Sequence, residues 1–116
     1  MITIEHKGDL VIAAVFGEFT LTDFKEFEEA ILYKFKFHGK PALLLDLHDM
    51  ADFTLDVVWE DIKFGREHGN DFAKIAVVSD SRWVDWAAWL SKTFLDSEIQ
   101  VFEDINLAED WVAPAR

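Results

Sequence analysis

Hydrophobic and polar positions alternate along the chain in blocks that predict an α/β fold. Residues 2–4 and 10–16 predict an antiparallel hairpin, because Lys7-Gly8-Asp9 between them has turn chemistry. Apolar runs typical of strands buried on both faces occupy residues 42–47, 75–78 and 99–102. Helical spacing of apolar residues predicts four helices, at residues 22–37, 55–68, 82–94 and 107–112. The order of elements predicts a mixed, mostly parallel sheet of about five strands with right-handed crossovers.

The first predicted helix carries more aromatic residues than a single buried face needs. Its predicted core stripe is Phe24, Phe27, Ile31 and Phe35. Tyr33 and Phe37 fall on the opposite side beside Lys36, and Lys34 lies in the same basic segment. Aromatic rings interleaved with lysines suit a lipid interface, where rings lie at headgroup depth and ammonium groups meet phosphates. We therefore predict membrane contact through Tyr33, Lys34, Lys36 and Phe37.

The second and third predicted helices also carry surplus apolar residues. In the second helix these include Val57, Trp59 and Phe64; in the third they are Trp83, Trp86 and Trp89. One interpretation is that they contact neighbouring helices, loops or another subunit. The other is that both helices line or gate a pocket for an apolar ligand. We take these six residues as the candidate ligand-binding set.

Composition limits the classes of function that are open. The 116 residues suit one domain spanning the whole chain, and 51% are hydrophobic, which is enough for one core. The absence of cysteine excludes disulfides, thiolate metal sites and cysteine nucleophiles. A net charge of −12 opposes binding to nucleic acid, so any contact with an anionic membrane must be local or apolar. With no secretory signal or long apolar run, the expectation is a cytoplasmic protein that attaches to membranes peripherally if at all.

Acidic residues and a histidine cluster after the central predicted strand. Asp46, His48, Asp49 and Asp52 occupy the position where parallel strands commonly form a ligand crevice. A metal or acid–base site is one interpretation. A solvated loop with Asp and His as turn formers and helix caps is favoured, since no recognised ligand spacing is present. The prediction is that no metal is bound here.

A candidate anion site follows the next strand. Ser81 and Arg82 lie at a predicted helix start, where free N–H groups and the guanidinium suit a phosphate or carboxylate. Ordinary helix capping by Asp80 or Ser81 is the favoured alternative. The chain has no P-loop, GxGxxG or GxSxG motif and no convincing nucleophile with a base. The sequence therefore predicts neither an enzyme nor a cofactor.

Several segments match a known pattern, among them Trp59-Glu60-Asp61-Ile62-Lys63-Phe64-Gly65, Asn70-Asp71-Phe72, Lys74-Ile75-Ala76-Val77-Val78 and Trp86-Ala87-Ala88. Together with Leu43-Leu44-Leu45-Asp46 they resemble the SpoIIAA-like proteins of the STAS superfamily, over nearly the whole chain. The resemblance implies a STAS-type βα fold and kinship to CRAL-TRIO lipid carriers. Classical members carry a phosphorylatable serine after the central strand, whereas here only Thr54 lies near that place.

The resemblance implies a non-enzymatic protein that binds an apolar or lipid-like molecule, with mobile helices covering a cavity. The alternative is a STAS-type regulatory module that contacts a protein partner or a second copy of itself, through residues such as Val57, Phe64 and Trp89.

Overall fold

The fold is built on β-strands that are distributed along the chain. The computed structural model describes residues 1–54, 56, 60, 63, 64, 67, 71–79 and 98–113. Its strands are β1 (Ile2–Lys7), β2 (Leu10–Val15), β3 (Gly17–Phe19), β4 (Ala42–Asp46), β5 (Met50–Phe53), β6 (Ile75–Val78) and β7 (Ile99–Phe102). Its helices with complete bounds are α1 (Leu21–His38) and α2 (Ile105–Val112).

The main sheet has five strands in the order β1-β2-β4-β6-β7. Strands β1 and β2 are antiparallel, with Ile4 opposite Ala13, and every other pair in this sheet is parallel. Gly8 makes the hairpin turn possible because its φ of 59° lies in the left-handed region, which glycine adopts without steric cost. The predicted mixed sheet with an N-terminal hairpin is confirmed.

A second sheet of two strands was not predicted. Strand β3 pairs in parallel with β5, and Thr54 N donates to the carbonyl of Phe19 at 3.1 Å. Gly17, with a φ of 67°, turns the chain away from the main sheet directly after β2. Part of the acidic segment that we assigned to a loop, including Asp52, therefore belongs to a strand.

Both faces of the main sheet are covered, as the unbroken apolar runs predict. Successive side chains of a strand point to opposite faces, so Leu43 and Leu44 of β4 belong to different clusters. Leu43 packs in the cluster that contains Phe24 and Ile31 of α1. Leu44 packs in the cluster that contains Ala108 of α2. The two helices thus lie on opposite sides of the sheet.

Helix α1 is defined at both ends by local chemistry. Thr20 caps its first turn, and the Thr20 and Asp23 side chains each accept a hydrogen bond from the other residue's backbone N–H. Gly39, with a φ of 73°, follows the last helical residue, as is common at helix ends. Of the expected core stripe, Phe24, Phe27 and Ile31 are buried, and Phe35 is partly buried against the same cluster.

The four predicted helices are found only in part. Helix α2 begins two residues before the predicted start because Asp104 accepts a hydrogen bond from Asn106 N at 2.8 Å and caps it. The described residues contain two helices with complete bounds, not four. Residues 82–94 lie outside the described residues, and in the 55–68 segment Asp56, Glu60, Lys63, Phe64 and Glu67 are helical.

Candidate functional site

The exposed face of α1 carries a group of apolar side chains near its C-terminal end. Tyr33 is 62% exposed, Phe37 is 59% exposed and Leu32 is 40% exposed. Residues four positions apart are neighbours on a helix, and the Tyr33 and Phe37 ring centroids lie 4.8 Å apart. The Lys36 ammonium lies 5.5 Å from the Phe37 ring centroid. We call Leu32, Tyr33, Lys36 and Phe37 the α1 patch.

Lys34 was predicted to contact a membrane, and its burial contradicts that prediction. It is only 4% exposed, and its Nζ donates a 2.5 Å hydrogen bond to the carbonyl oxygen of Gly8. Two helical positions separate Lys34 from Lys36, a rotation of about 200°, so the two lysines cannot share a face. The Lys34 ammonium is tied to the β1–β2 turn and is not presented to a membrane.

Phe64, which was predicted to bind ligand, is a core residue. It is 3% exposed, and its ring packs edge-on against Phe24 with centroids 5.9 Å apart. It also contacts Phe27 and Phe72, at 5.8 and 6.2 Å between centroids. The residue lies off the stripe expected for its helix, yet the α1 aromatics supply it with partners. Its burial also removes it from the exposed partner surface of the alternative interpretation.

The remaining candidates of the ligand-binding and anion-binding sets lie outside the described residues. These are Val57, Trp59, Trp83, Trp86, Trp89, Ser81 and Arg82. Trp111, which the sequence did not single out, is described: its ring lies 5.7 Å from Phe102 and 4.9 Å from the Lys74 ammonium. The Lys74 Nζ also donates to the carbonyl of Trp111 at 3.2 Å, near the C-terminal end of α2.

Two cavities lie at opposite ends of the parallel strands. We call the ends where β4, β6 and β7 begin the amino edge, and the ends where they finish the carboxyl edge. The amino-edge cavity has a volume of about 300 Å³ and is lined by Asp9, Lys40, Ala42, Ala73, Lys74, Val112 and Ala113. The carboxyl-edge cavity has a volume of about 360 Å³ and is lined by Asp46, His48, Val78, Glu103, Asp104 and Ile105.

The acidic residues after β4 form local contacts. Asp46 Oδ1 accepts from the backbone N–H of His48 at 3.0 Å, and Asp52 Oδ1 accepts from Phe53 N at 2.8 Å. His48 Nδ1 lies 3.4 Å from Asp49 Oδ1, with both side chains exposed. The Asp46 contact is typical of a turn, whereas the Asp52 contact lies within β5. Among the described residues, no group of His, Asp and Glu side chains has an arrangement suited to a metal ion.

Among the described residues, Asp23 is the carboxyl group with a clearly displaced pKa. Burial raises its pKa, but hydrogen bonds from the Thr20 backbone and hydroxyl groups and the nearby Met1 ammonium outweigh that effect. Asp23 Oδ2 lies 3.1 Å from the Thr20 backbone nitrogen and 3.2 Å from the Met1 ammonium. The resulting pKa lies below the ordinary value. This group stabilises the start of α1 and lies far along the helix from the α1 patch.

Thr54 lies between β5 and the helical residue Asp56, near the position of the serine expected from the resemblance. Its hydroxyl donates a hydrogen bond to the Asp56 carboxylate, and its backbone N–H donates to Phe19. Directly after a strand, this is the geometry of a side chain that organises a strand-to-helix connection.

The described features define a class of protein: an α/β domain with a mostly parallel sheet. Within the described ranges, neither helix combines the length and the apolar composition needed to cross a bilayer. The SpoIIAA-like family model matches residues 10–113, so the chain belongs to the SpoIIAA-like family. No curated protein matches the sequence significantly.

A solved structure supports this assignment. The chain is similar to an uncharacterised protein with a SpoIIAA-like fold from Shewanella loihica PV-4, with a TM-score of 0.76 and 25% sequence identity. The similarity covers 97% of this chain and 93% of the other. Fold and family therefore agree with the resemblance found in the sequence.

Proposed function

We propose that this protein is a non-enzymatic binding protein for an apolar or lipid-like molecule, and that it attaches to membranes peripherally through the α1 patch. The observation that carries the proposal is the exposure of Tyr33 and Phe37, whose rings contact each other beside the Lys36 ammonium. Rings of this kind partition to the headgroup region of a bilayer, and a lysine beside them meets lipid phosphates.

The size of the patch predicts weak, reversible attachment. The side chains of Tyr and Phe have roughly 200 Å² each, so their exposed parts together amount to about 240 Å². At about 25 cal/mol per Å², complete burial of this area would contribute at most about 6 kcal/mol. The cost of association reduces that gain, so the expected dissociation constant lies in the range of micromolar to millimolar lipid.

The distribution of charge supports one orientation on an anionic bilayer. The patch lies toward the amino edge, where Lys40 and Lys74 precede β4 and β6 and outnumber the one carboxylate of that cavity, Asp9. The carboxyl edge carries Asp46, Glu103 and Asp104 around its cavity. An anionic surface repels the carboxyl edge and attracts the lysines, so the protein would approach with its amino edge and the C-terminal end of α1 toward the lipid.

The proposal is tested by co-sedimentation with vesicles of phosphatidylcholine alone and with added phosphatidylserine. Wild-type protein should bind both, and more strongly when phosphatidylserine is present. The double variant Tyr33→Ser/Phe37→Ser should lose most of the binding. Leu107→Ser is the matched control, because Leu107 is equally exposed, at 59%, but lies on α2. Equal loss in the control variant, or no binding by wild type, would refute membrane attachment.

Binding of an apolar molecule has its own test. Native mass spectrometry and lipid extraction of gently purified protein should recover a bound apolar molecule. If neither method recovers one, and none binds on screening with fatty acids and lysolipids, the ligand-binding part of the proposal fails.

A STAS-type regulatory module that binds a protein partner is the second candidate, and the SpoIIAA-like family match is consistent with it. Since Phe64 is buried, the described apolar surface available to such a partner includes the α1 patch and, on α2, Ile105 and Leu107. Stable capture of a partner through this patch, together with failure to bind either vesicle composition, would favour the regulatory module over lipid binding.

A further inference from the structure

We infer that the exposed face of α1 is self-complementary and that, away from lipid, a second copy of this chain covers the α1 patch. The inference rests on the proposed function, because pairing would regulate the same site. Pairing covers the α1 patch, so the two copies must separate before the patch can bind a membrane. Its basis is the order of charged and aromatic side chains along one helix face.

The exposed side of α1 changes from net acidic to basic along its length, with one exposed lysine, Lys25, beside the carboxylates of the first half. Glu26 and Glu29 are exposed in the first half of the helix, and Lys36 is exposed in the last turn. Tyr33 lies between them on the same face, since these positions follow the spacing of three and four residues that aligns side chains on a helix. Lys40 follows just beyond the helix end and is also exposed.

An antiparallel pairing about a twofold axis at Tyr33 matches opposite charges. Glu29 precedes Tyr33 by four residues and Lys36 follows it by three. Glu29 of one copy and Lys36 of the second copy therefore lie at nearly the same height along the helix axes. Their heights differ by one residue, or about 1.5 Å. Lys40 lies beyond the last helical residue, so the match that helix geometry sets is that of Glu29 with Lys36. The twofold axis repeats this match, which is the property of an isologous interface.

The shape of the surface agrees with this pairing. A shallow groove between β1 and α1 is lined by Ile4, Glu26, Glu29, Ala30 and Tyr33. In the antiparallel arrangement, Phe37 of the second copy arrives level with Glu29 and Ala30, so its ring lies over this groove. A parallel arrangement would instead place carboxylates beside carboxylates and lysines beside lysines, which is unfavourable.

The expected dimer is weak. An 18-residue helix is about 27 Å long, and one face about 10 Å wide gives a footprint near 300 Å² per copy. Stable interfaces bury roughly 800 Å² on each partner. A contact of this size is reversible, which allows a lipid surface to compete for the same aromatic rings.

Sedimentation velocity over a concentration series, without lipid, tests the pairing. Glu29→Lys and Lys36→Glu should each weaken dimerisation by about tenfold, because each brings like charges together. The double variant Glu29→Lys/Lys36→Glu should restore dimerisation, because the two charges of each pair are exchanged and opposite charges again face each other. Glu103→Lys, an exposed carboxylate on the carboxyl edge, is the control and should change nothing. Failure of the double variant to recover, or a monomer at every concentration, would overturn the inference.

A cross-link gives an independent measurement. The chain contains no cysteine, so Tyr33→Cys introduces a single thiol next to the proposed axis. Mild oxidation should cross-link this variant much faster than Leu107→Cys, whose residue is similarly exposed on α2. Equal rates would indicate random collision and contradict the pairing.

Vesicle binding separates failure of this inference from failure of the proposed function. Reduced Tyr33→Cys protein keeps Phe37 and Lys36 but lacks the Tyr33 ring, so it should bind phosphatidylserine vesicles more weakly than wild type, and cross-linking should abolish that remaining binding. A wild-type monomer that binds vesicles refutes only the pairing. A charge-dependent dimer that never binds vesicles refutes membrane attachment and leaves the α1 patch as a surface for self-association alone.

Discussion

Lys34 and Lys36 are two residues apart on α1 but have opposite surroundings. The Lys34 ammonium is buried against the carbonyl of Gly8, whereas Lys36 is exposed beside Phe37. The apolar stem of a lysine packs along a core surface readily, and its charged end needs a polar partner where it is buried. The Gly8 carbonyl supplies that partner, so Lys34 fastens the β1–β2 turn to α1.

Lys34→Ala should lower the free energy of unfolding by about 1.5–3 kcal/mol, since hydrogen bonds to charged groups fall in this range. Lys36→Ala is the matched control and should change stability by no more than about 0.5 kcal/mol. Urea denaturation followed by circular dichroism measures both. Equal effects of the two substitutions would contradict the structural difference between the lysines.

Phe64 provides a second comparison between residues. Phe64→Ala should cost about 3–5 kcal/mol, because it opens a cavity among the rings of Phe24, Phe27 and Phe72. Phe37→Ala removes an exposed ring and should cost less than about 1 kcal/mol. Thermal unfolding by calorimetry distinguishes the two. If Phe64→Ala left stability intact, the original assignment of Phe64 to a ligand pocket would regain support.

The first turn of α1 makes the stability of the element depend on pH. The pKa of Asp23 is lower in the folded protein than its ordinary value, so the ionised carboxylate favours the folded state. This contribution is complete above the unfolded pKa of about 3.9 and is lost as pH falls through the lower, folded pKa.

Asp23→Asn should therefore be less stable than wild type at pH 7, and the difference should shrink below about pH 4. Denaturant midpoints measured from pH 7 to pH 2 test this expectation. Thr20→Ala, which removes the reciprocal cap, should cost about 1 kcal/mol at pH 7. A constant difference between wild type and Asp23→Asn across the whole range would contradict the lowered pKa.

Elements with a clear apolar pattern were predictable from the sequence, including the four-residue strands β6 and β7, whereas the more polar short strands β3 and β5 were not. The apolar run of β4 and the apolar stripe of α1 both indicate burial. In β4 consecutive positions are apolar, and in α1 an apolar residue recurs on one face at each turn. Strand β3 has only three residues, and its partner β5 lies some thirty positions later in the chain. No local sequence pattern predicts this pairing. It depends on the turn at Gly17 and on how the main sheet brings β3 and β5 together.

For the whole molecule, salt separates the two forces that hold it to a membrane. Binding to phosphatidylserine vesicles should weaken as salt rises from about 0.05 to 0.5 M, because the Debye length falls below 5 Å. It should not vanish, because burial of the Tyr33 and Phe37 rings is not screened. Binding to phosphatidylcholine vesicles should change little. Complete loss at high salt would indicate attachment by charge alone.

The candidate site was predictable only where helix geometry decides exposure. Each residue of a helix is rotated by about 100° from the one before it, which places Tyr33 and Phe37 on the side of α1 away from its core stripe. Both rings are exposed, as this geometry predicts. The burial of Lys34 and of Phe64 could not be predicted, because their surroundings come from other elements: the turn at Gly8 and the aromatics of α1. A helical pattern records one face of one helix and carries no information about what approaches the other faces.

The strand order β1-β2-β4-β6-β7 has a consequence for the way the chain is made. In the main sheet, each strand lies beside one that precedes it in the sequence, and none is inserted between earlier neighbours. A chain that emerges from the ribosome with its N-terminus first can therefore extend the sheet one strand at a time, always at the same growing edge. Synthesis and assembly can proceed in the same direction, and β7 closes the sheet last.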